Sequence, residues 1–233
     1  MKNLIKKELG HYFNTPLGYI ITILFAIFAN FFFVKDIFVV NSASLKPFFL
    51  LLPWFLLIFI PALSMRSFSE EKRTNTIEIL LTLPYSETKI VLSKFFAVSL
   101  IIIIALSLTL SLPFSLFFLA KIYLPEVFVG YLGALLLGLA FSSLSLFFSS
   151  QTKNQVISFL FSTITLFFLL ILGSDFLSSY LPRGIQEFFI PFSPFYHFQN
   201  FVKGILDFRS LFYFFSFTFL FLFLTILELE KRD

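Results

Sequence analysis

Arg66-Ser-Phe-Ser-Glu-Glu-Lys-Arg-Thr-Asn-Thr-Ile-Glu-Ile-Leu-Leu-Thr-Leu-Pro84 is the longest polar-rich interval of a very apolar chain, and it lies between two long hydrophobic runs. A polar segment so placed returns to water, or lies along the membrane face, between two spans. Its residues describe one or two short interfacial helices. Ser67-x-x-Glu70 has capping-box spacing, in which the Ser oxygen and the Glu carboxylate satisfy orphan backbone donors at a helix start. Glu70 and Glu71 then fall in the first turn, where the helix dipole favours carboxylates. Asn75-x-x-Glu78 offers a second start, which predicts a break near residues 74–76. Ile77, Leu80 and Leu81 stand at i, i+3 and i+4 and make one apolar face. Pro84 is expected to stop the helix, because the residue before a proline is pushed out of the α region. Ser86 can cap the helix that follows. A solvated loop carrying a few surface charges is the competing reading of the same residues.

Composition decides what surrounds this interval. The chain has 233 residues, 58% hydrophobic and 13% charged, with a mean hydropathy of +0.96. A soluble domain carries roughly 25% charged residues, and a globular core of this size cannot bury so much apolar side chain, so the solvent is lipid. The 40 Phe suit a lipid-facing surface, and 8 Gly with 10 Pro leave no low-complexity linker. The formal net charge is +4, but the basic residues are dispersed at the ends of apolar runs, which argues against nucleic acid as a partner. Without Cys there is no disulfide, iron–sulfur or thiolate site. His11 and His197 are the two histidines, too few for a His/Cys zinc site. Lys2, Lys6 and Lys7 before an apolar run imitate a signal peptide. The run is too long for an h-region and no small-x-small site follows, so it reads as an anchor.

Residues 2–14 put Leu4, Ile5, Leu9, Tyr12 and Phe13 on one side of a helix and Lys6, Lys7, His11 and Asn14 on the other, which predicts an amphipathic helix in the interface plane. Pro16 separates it from the first span. A span needs about 20 mostly apolar residues, and six runs qualify, near residues 17–34, 47–64, 90–120, 127–149, 156–173 and 211–227. Pro53 and Pro61 fall inside the second, and Pro113 predicts a kink in the third. With the N-terminus inside, the inner side holds 11 of the Lys and Arg and the outer side 6, so both termini and residues 66–89 are expected in the cytoplasm.

Gly130, Ala134, Gly138 and Ser142 form a small-residue stripe along the fourth run that lets another helix approach closely. Gly133-x-x-x-x-Gly138 has half of a phosphate-loop spacing, but Leu139-Ala140 stands where Lys-Ser or Lys-Thr is required. The chain is therefore not expected to hydrolyse ATP. No charged residue falls well inside a run, unlike ion-coupled transporters and voltage sensors. Asn30 reads as a helix–helix hydrogen bond. Residues 174–210 form the longest outer segment, rich in Phe and Ile with Pro182, Pro191 and Pro194, and are expected to re-enter or lie on the outer leaflet as short helices. His197-x-x-Asn200 lacks a carboxylate or Cys partner at a convincing spacing, and a structural role is expected.

Pro61-Ala-Leu-Ser-Met-Arg, continuing through the opening stretch to Pro84, and Ile90-Val-Leu-Ser-Lys94 resemble the ABC-2 type permease subunits of ATP-binding-cassette transporters. Lys7-Glu-Leu-Gly-His-Tyr-Phe-Asn-Thr-Pro-Leu-Gly-Tyr19, Phe201-Val-Lys-Gly-Ile-Leu-Asp207 and Tyr213-Phe-Phe-Ser-Phe-Thr218 are similar to the gliding-motility-associated subgroup. Asn75 departs from the Gly usual there, and Asn tolerates a left-handed backbone. The resemblance implies an all-α polytopic membrane protein: one domain over residues 1–233, an elbow helix at 1–16, six transmembrane helices and a coupling segment at 66–89. It implies two permease subunits and two cytoplasmic ATPase subunits, the ATP and Mg being bound by the ATPase and no cofactor by this chain. It puts the contact with the ATPase on Glu70, Glu71, Lys72, Arg73, Thr76, Glu78, Leu80 and Leu81, with Leu80 and Leu81 as its apolar anchor. The implied location is the inner (plasma) membrane. Two other classes stand beside it. An intramembrane protease would start with Glu70-Glu71 but needs Arg at position 75, which is Asn75. A membrane scaffold would anchor partners without moving anything.

Overall fold

The computed structural model describes residues 1–40, 44–82, 85–119, 123–174 and 189–231, except for the side chains of residues 17, 36–40, 79, 81, 82 and 119. Every regular element among them is helical. The order is α1 (Lys2–Phe13), α2 (Pro16–Val40), α3 (Lys46–Ser64), α4 (Arg66–Arg73), α5 (Thr76–Thr82), α6 (Glu87–Leu108), α7 (Ser111–Leu119), α8 (Leu124–Gln151) and α9 (Gln155–Leu172). A short 3-10 turn (Ile190–Phe192), α10 (Pro194–Val202) and α11 (Phe208–Glu230) complete it. Six helical stretches are long and apolar enough to cross a membrane: Gly18–Lys35, Lys46–Arg73, Glu87–Phe118, Leu124–Gln151, Gln155–Leu172 and Phe208–Glu230. They coincide with the six runs, so the protein is an all-α polytopic membrane protein.

The central span is α8, which touches α3, α6, α9, α10 and α11. In α8, 72% of the span is buried against 17% for α11, which turns Phe208, Phe212, Phe215, Phe219 and Phe223 outward to lipid. Small residues explain how α8 takes so many neighbours. A Cβ on Gly130 would sit 2.5 Å from the Phe49 ring of α3, and one on Gly138 would sit 3.0 Å from Ile102 of α6. Ala134 and Ser142 are fully buried. Gly133, on another face, admits Phe201 of α10, whose Cβ would be 2.4 Å from an added Cβ. The stripe is thus occupied by helices of the same chain.

Pro113 breaks the third span where the freed carbonyl finds partners, whereas Pro53 and Pro61 lie inside a continuous α3. The third span leaves the α-helix at Thr109–Leu110, one turn before Pro113, and resumes as α7. Pro113 has no N–H for the Thr109 carbonyl. The Tyr131 hydroxyl of α8 donates to that carbonyl at 3.0 Å, and Leu112 N–H at 3.1 Å, so this carbonyl is not stranded in hydrocarbon. Of the outer segment, the described part is the turn at Ile190–Phe192 followed by α10, whose Phe198 and Phe201 are fully buried. Residues 175–188, with Pro182 and Arg183, lie outside the described residues.

Candidate functional site

The opening stretch folds as two short helices at one end of the bundle, as the spacing predicts, but its local chemistry differs. The span of α3 passes into α4 through one turn residue, Met65, so α4 has no free start for Ser67 to cap. The Ser67 hydroxyl instead meets the Tyr12 hydroxyl of α1 at 2.7 Å. The first amides of α4 are held from α8: Ser149 Oγ accepts from Phe68 N at 3.1 Å and Ser69 N at 3.2 Å, and donates to the Met65 carbonyl at 3.0 Å. The Ser69 hydroxyl also donates to the Met65 carbonyl.

The predicted break falls at Thr74–Asn75. Asn75 has φ +55°, the left-handed conformation that an Asn side chain tolerates best among non-glycine residues. Glu78 enters the first turn of α5. Ser86 occupies the cap position of α6 through its carbonyl, which accepts from Lys89 N and Ile90 N at 2.9 and 3.2 Å, while its hydroxyl makes no capping bond. The Leu81 side chain and Pro84 lie outside the described residues.

The site residues named from the sequence divide into two sets. Arg73, Thr76 and Glu78 are exposed, together with Thr74 and Asn75. Leu80 and Ile77 turn the other way, 5% and 6% exposed, into an apolar cluster with Phe68, Ile90, Val91, Phe95, Leu146, Leu222 and Leu229. Leu80 therefore packs α5 onto its own bundle. Lys72 is buried, and Glu70 and Glu71 are half-buried.

What sequence reading missed is the charge beneath this surface. Lys94, in the third turn of α6, is 2% exposed. Its Nζ lies 2.8 Å from Glu71 Oε1 of α4 and 3.1 Å from Glu8 Oε2 of α1, and 5.1 Å from the Phe68 ring centroid. One cation so joins three helices. Its two carboxylates supply the charge that a buried ammonium needs. Lys94 stands near the start of the third run and so not well inside a span, yet it is buried. A signal existed: Leu4, Glu8 and Tyr12, the buried residues of α1, stand four apart, so Glu8 interrupts the apolar stripe instead of the polar face. Above the triad a polar cavity of about 360 Å³ separates α1 from α4. His11 Nε2 stands 3.7 Å from Glu70 Oε2 across it. Burial pushes the Tyr12 phenol well above its ordinary value, so it remains a protonated partner for Ser67.

At the other end, His197 and Asn200 do acquire a carboxylate, through folding rather than spacing. His197 Nε2 donates to the Pro191 carbonyl at 2.9 Å and Nδ1 faces Ser210 Oγ at 3.2 Å. Asn200 Nδ2 donates to Ser210 Oγ at 3.0 Å and to Asp207 Oδ2 at 3.5 Å. The Tyr213 ring stacks on the imidazole at 4.2 Å. Ser210 sits between His197 and Asp207, whereas a nucleophile triad needs the histidine in the middle. The arrangement ties the 3-10 turn, α10 and α11 together. Asn30 is bonded within its own helix, Nδ2 to the Ala26 carbonyl at 2.7 Å, and its Oδ1 accepts from Ser111 at 3.3 Å.

The sequence model described as ABC-2 family transporter protein matches residues 38–229, most of the chain. The match takes in the paired helices, Lys94, α8 and the far-end cluster, and it begins beyond α1. It gives the family and not a subgroup. No curated protein matches the chain.

Proposed function

The chain belongs to the ABC-2 family of transporters, and from that premise we propose that it is the permease subunit of an ATP-binding-cassette exporter, driven by a separate ATPase chain that binds the ATP and Mg. A second permease subunit, identical or related, completes the pathway through the membrane lipid. The 11-to-6 basic bias favours cytoplasmic termini and a cytoplasmic α4–α5 pair in the plasma membrane. The three stretches similar to gliding-motility-associated permeases favour that subgroup.

One observation carries the coupling role: the α4–α5 pair is keyed into the bundle rather than tethered to it. Lys94 binds α4 to α1 and α6, Ser149 binds it to α8, and Leu80 seats α5. A push on the exposed edge at Arg73, Thr76 and Glu78 then reaches three spans as a rigid-body displacement. In this reading the edge is the docking contact, and Glu71, Lys72 and Leu80 stiffen what lies behind it.

The test is reconstitution with an ABC ATPase subunit from the same genome. The doubly charge-reversed edge, Arg73→Glu with Glu78→Arg, should weaken co-purification and abolish stimulation of ATP hydrolysis while the permease alone stays folded. Normal binding and normal stimulation by that variant would place the ATPase contact elsewhere.

A further inference from the structure

An open groove of about 450 Å³ runs between α2 and α3, walled almost entirely by carbon. Phe25 and Phe59 form its floor, ring centroids 4.6 Å apart, and Phe32 with Phe55 closes its far end at 5.5 Å. Leu24, Phe28 and Ile58 rise along its rims, each about half exposed. From Ile21 to Phe32 the α2 wall climbs roughly 16 Å at the rise per residue of a helix, about half of a 30 Å hydrocarbon core. The groove therefore spans one leaflet, the leaflet on the α4 side.

Its near end is polar. Ile21 and Ala62 line both this groove and a smaller cleft shared by His11, Tyr12, Thr15 and Arg66. Arg66 also lines the polar cavity between α1 and α4, and its Nε is buried and makes no hydrogen bond among the described residues. Of the carboxylates nearby, Glu8 Oε2 and Glu71 Oε1 pair with Lys94, while Glu70 Oε2 stands 3.7 Å from His11 Nε2 and, like Glu71 Oε2, makes no hydrogen bond among the described residues. Lys6 and Lys7 stand exposed on the same polar face of α1. Apolar length for one acyl chain thus leads to a guanidinium at headgroup height.

We propose that this groove and Arg66 form a binding site for one anionic phospholipid, an acyl chain lying between α2 and α3 and the phosphate on Arg66. The site is a property of this chain alone and stands whether or not the chain couples to an ATPase. Charge complementarity selects the occupant. A second copy's helix would fill the groove but leave the guanidinium unanswered.

The experiment places the purified full-length chain in phosphatidylcholine nanodiscs doped with a phosphatidylglycerol probe that carries a diazirine in its acyl chain, and maps cross-links by mass spectrometry. Adducts should gather on the α2 and α3 peptides. Arg66→Gln should lower them about fivefold, the worth of one basic side chain at an anionic surface, and Arg66→Lys should restore most of the signal. A phosphatidylcholine probe should be indifferent to both variants, and Ala62→Phe, at the junction of groove and cleft, should reduce adducts from either probe. Adducts spread equally over the lipid-facing α9 and α11 peptides, or unchanged by Arg66→Gln, would overturn the site. So would Ile58→Cys, the sole thiol in such a variant, if it cross-linked two copies and the cross-linked form took no probe, since the occupant would then be a second chain.

Discussion

The two ends of the bundle are held together differently. At the α4 end a buried ammonium is shared by carboxylates 86 and 23 residues away in sequence. At the α10 end His197, Asn200, Asp207, Ser210 and Tyr213 knot one short stretch to itself, mostly through hydrogen bonds of uncharged groups. The first arrangement locks three separate elements into one body, and removing one member leaves a charge buried without its counterion. The second fixes local loops, and each bond can be lost singly. A joint of the first kind suits a part that must move as a unit. A knot of the second kind suits a lid.

Removing Lys94 should expose that difference most. Lys94→Met strands Glu8 and Glu71 and should cost about 3–5 kcal/mol, the penalty for breaking a buried pair, read as a large drop in the melting temperature of the detergent-solubilised chain. Neutralising all three in Lys94→Met, Glu8→Gln, Glu71→Gln should recover most of that loss. A single mutant that melts like the parent would mean that the triad is hydrated and no joint.

Packing around α8 gives the next effect. Gly133→Ala drives a methyl against the backbone-proximal Cβ of Phe201, and overpacking of this kind costs about 1–3 kcal/mol. Gly138→Ala meets only a methyl of Ile102 at 3.0 Å and should cost less. Equal losses in a thermal melt would show that α10 shifts as easily as an Ile side chain.

These pairs also mark what could be read beforehand. Apolar run length fixes six spans, because lipid punishes every unpaired backbone group and admits little except helices. Asn75 was legible as a turn from its residue type. Gly138 was legible on its stripe, yet Gly133 was not, because only the fold brings Phe201 to it. Leu80 looked like an outward anchor since an apolar face on a short interfacial helix is silent about which apolar surface it meets. The Lys94 triad was hidden for a related reason: each member looks like a solvated charge on its own helix, and pairing over 86 residues is a tertiary fact.

Acid should loosen the α10 knot. Burial holds His197 below its ordinary value of 6.5, with Pro191 and Asp207 opposing in part. The groups facing the ring are Ser210, the Pro191 carbonyl, the Asp207 carboxylate and the Tyr213 ring. The unfolded chain then binds the proton more readily than the folded one, so stability is complete above pH 6.5 and is lost as pH falls from there toward the folded value. Hydrogen exchange of α10 should quicken over that window, and His197→Gln should flatten the response. Unchanged exchange in the parent would mean that the imidazole is charged already, or that α10 does not depend on it.

The smallest effect should come from Asn75, where the locked α4 hands over to α5. A left-handed backbone costs an ordinary L-residue about 1–2 kcal/mol, and Asn75 accepts it at φ +55°. Asn pays only part of that cost, so Asn75→Gly removes little and enlarges the freedom of the unfolded chain, an opposing term of about 0.5–1 kcal/mol. The two nearly cancel, so the melting temperature should hardly move. Asn75→Val gains nothing in return and should lose about 1–2 kcal/mol. Because Asn75 is exposed, neither change disturbs the buried triad, and exchange at α4 amides should match the parent in both variants while α5 alone responds. If Asn75→Gly instead destabilises by more than about 1 kcal/mol, the Asn side chain supports the turn by its own contacts, and the hinge between α4 and α5 is a built joint rather than a tolerated bend.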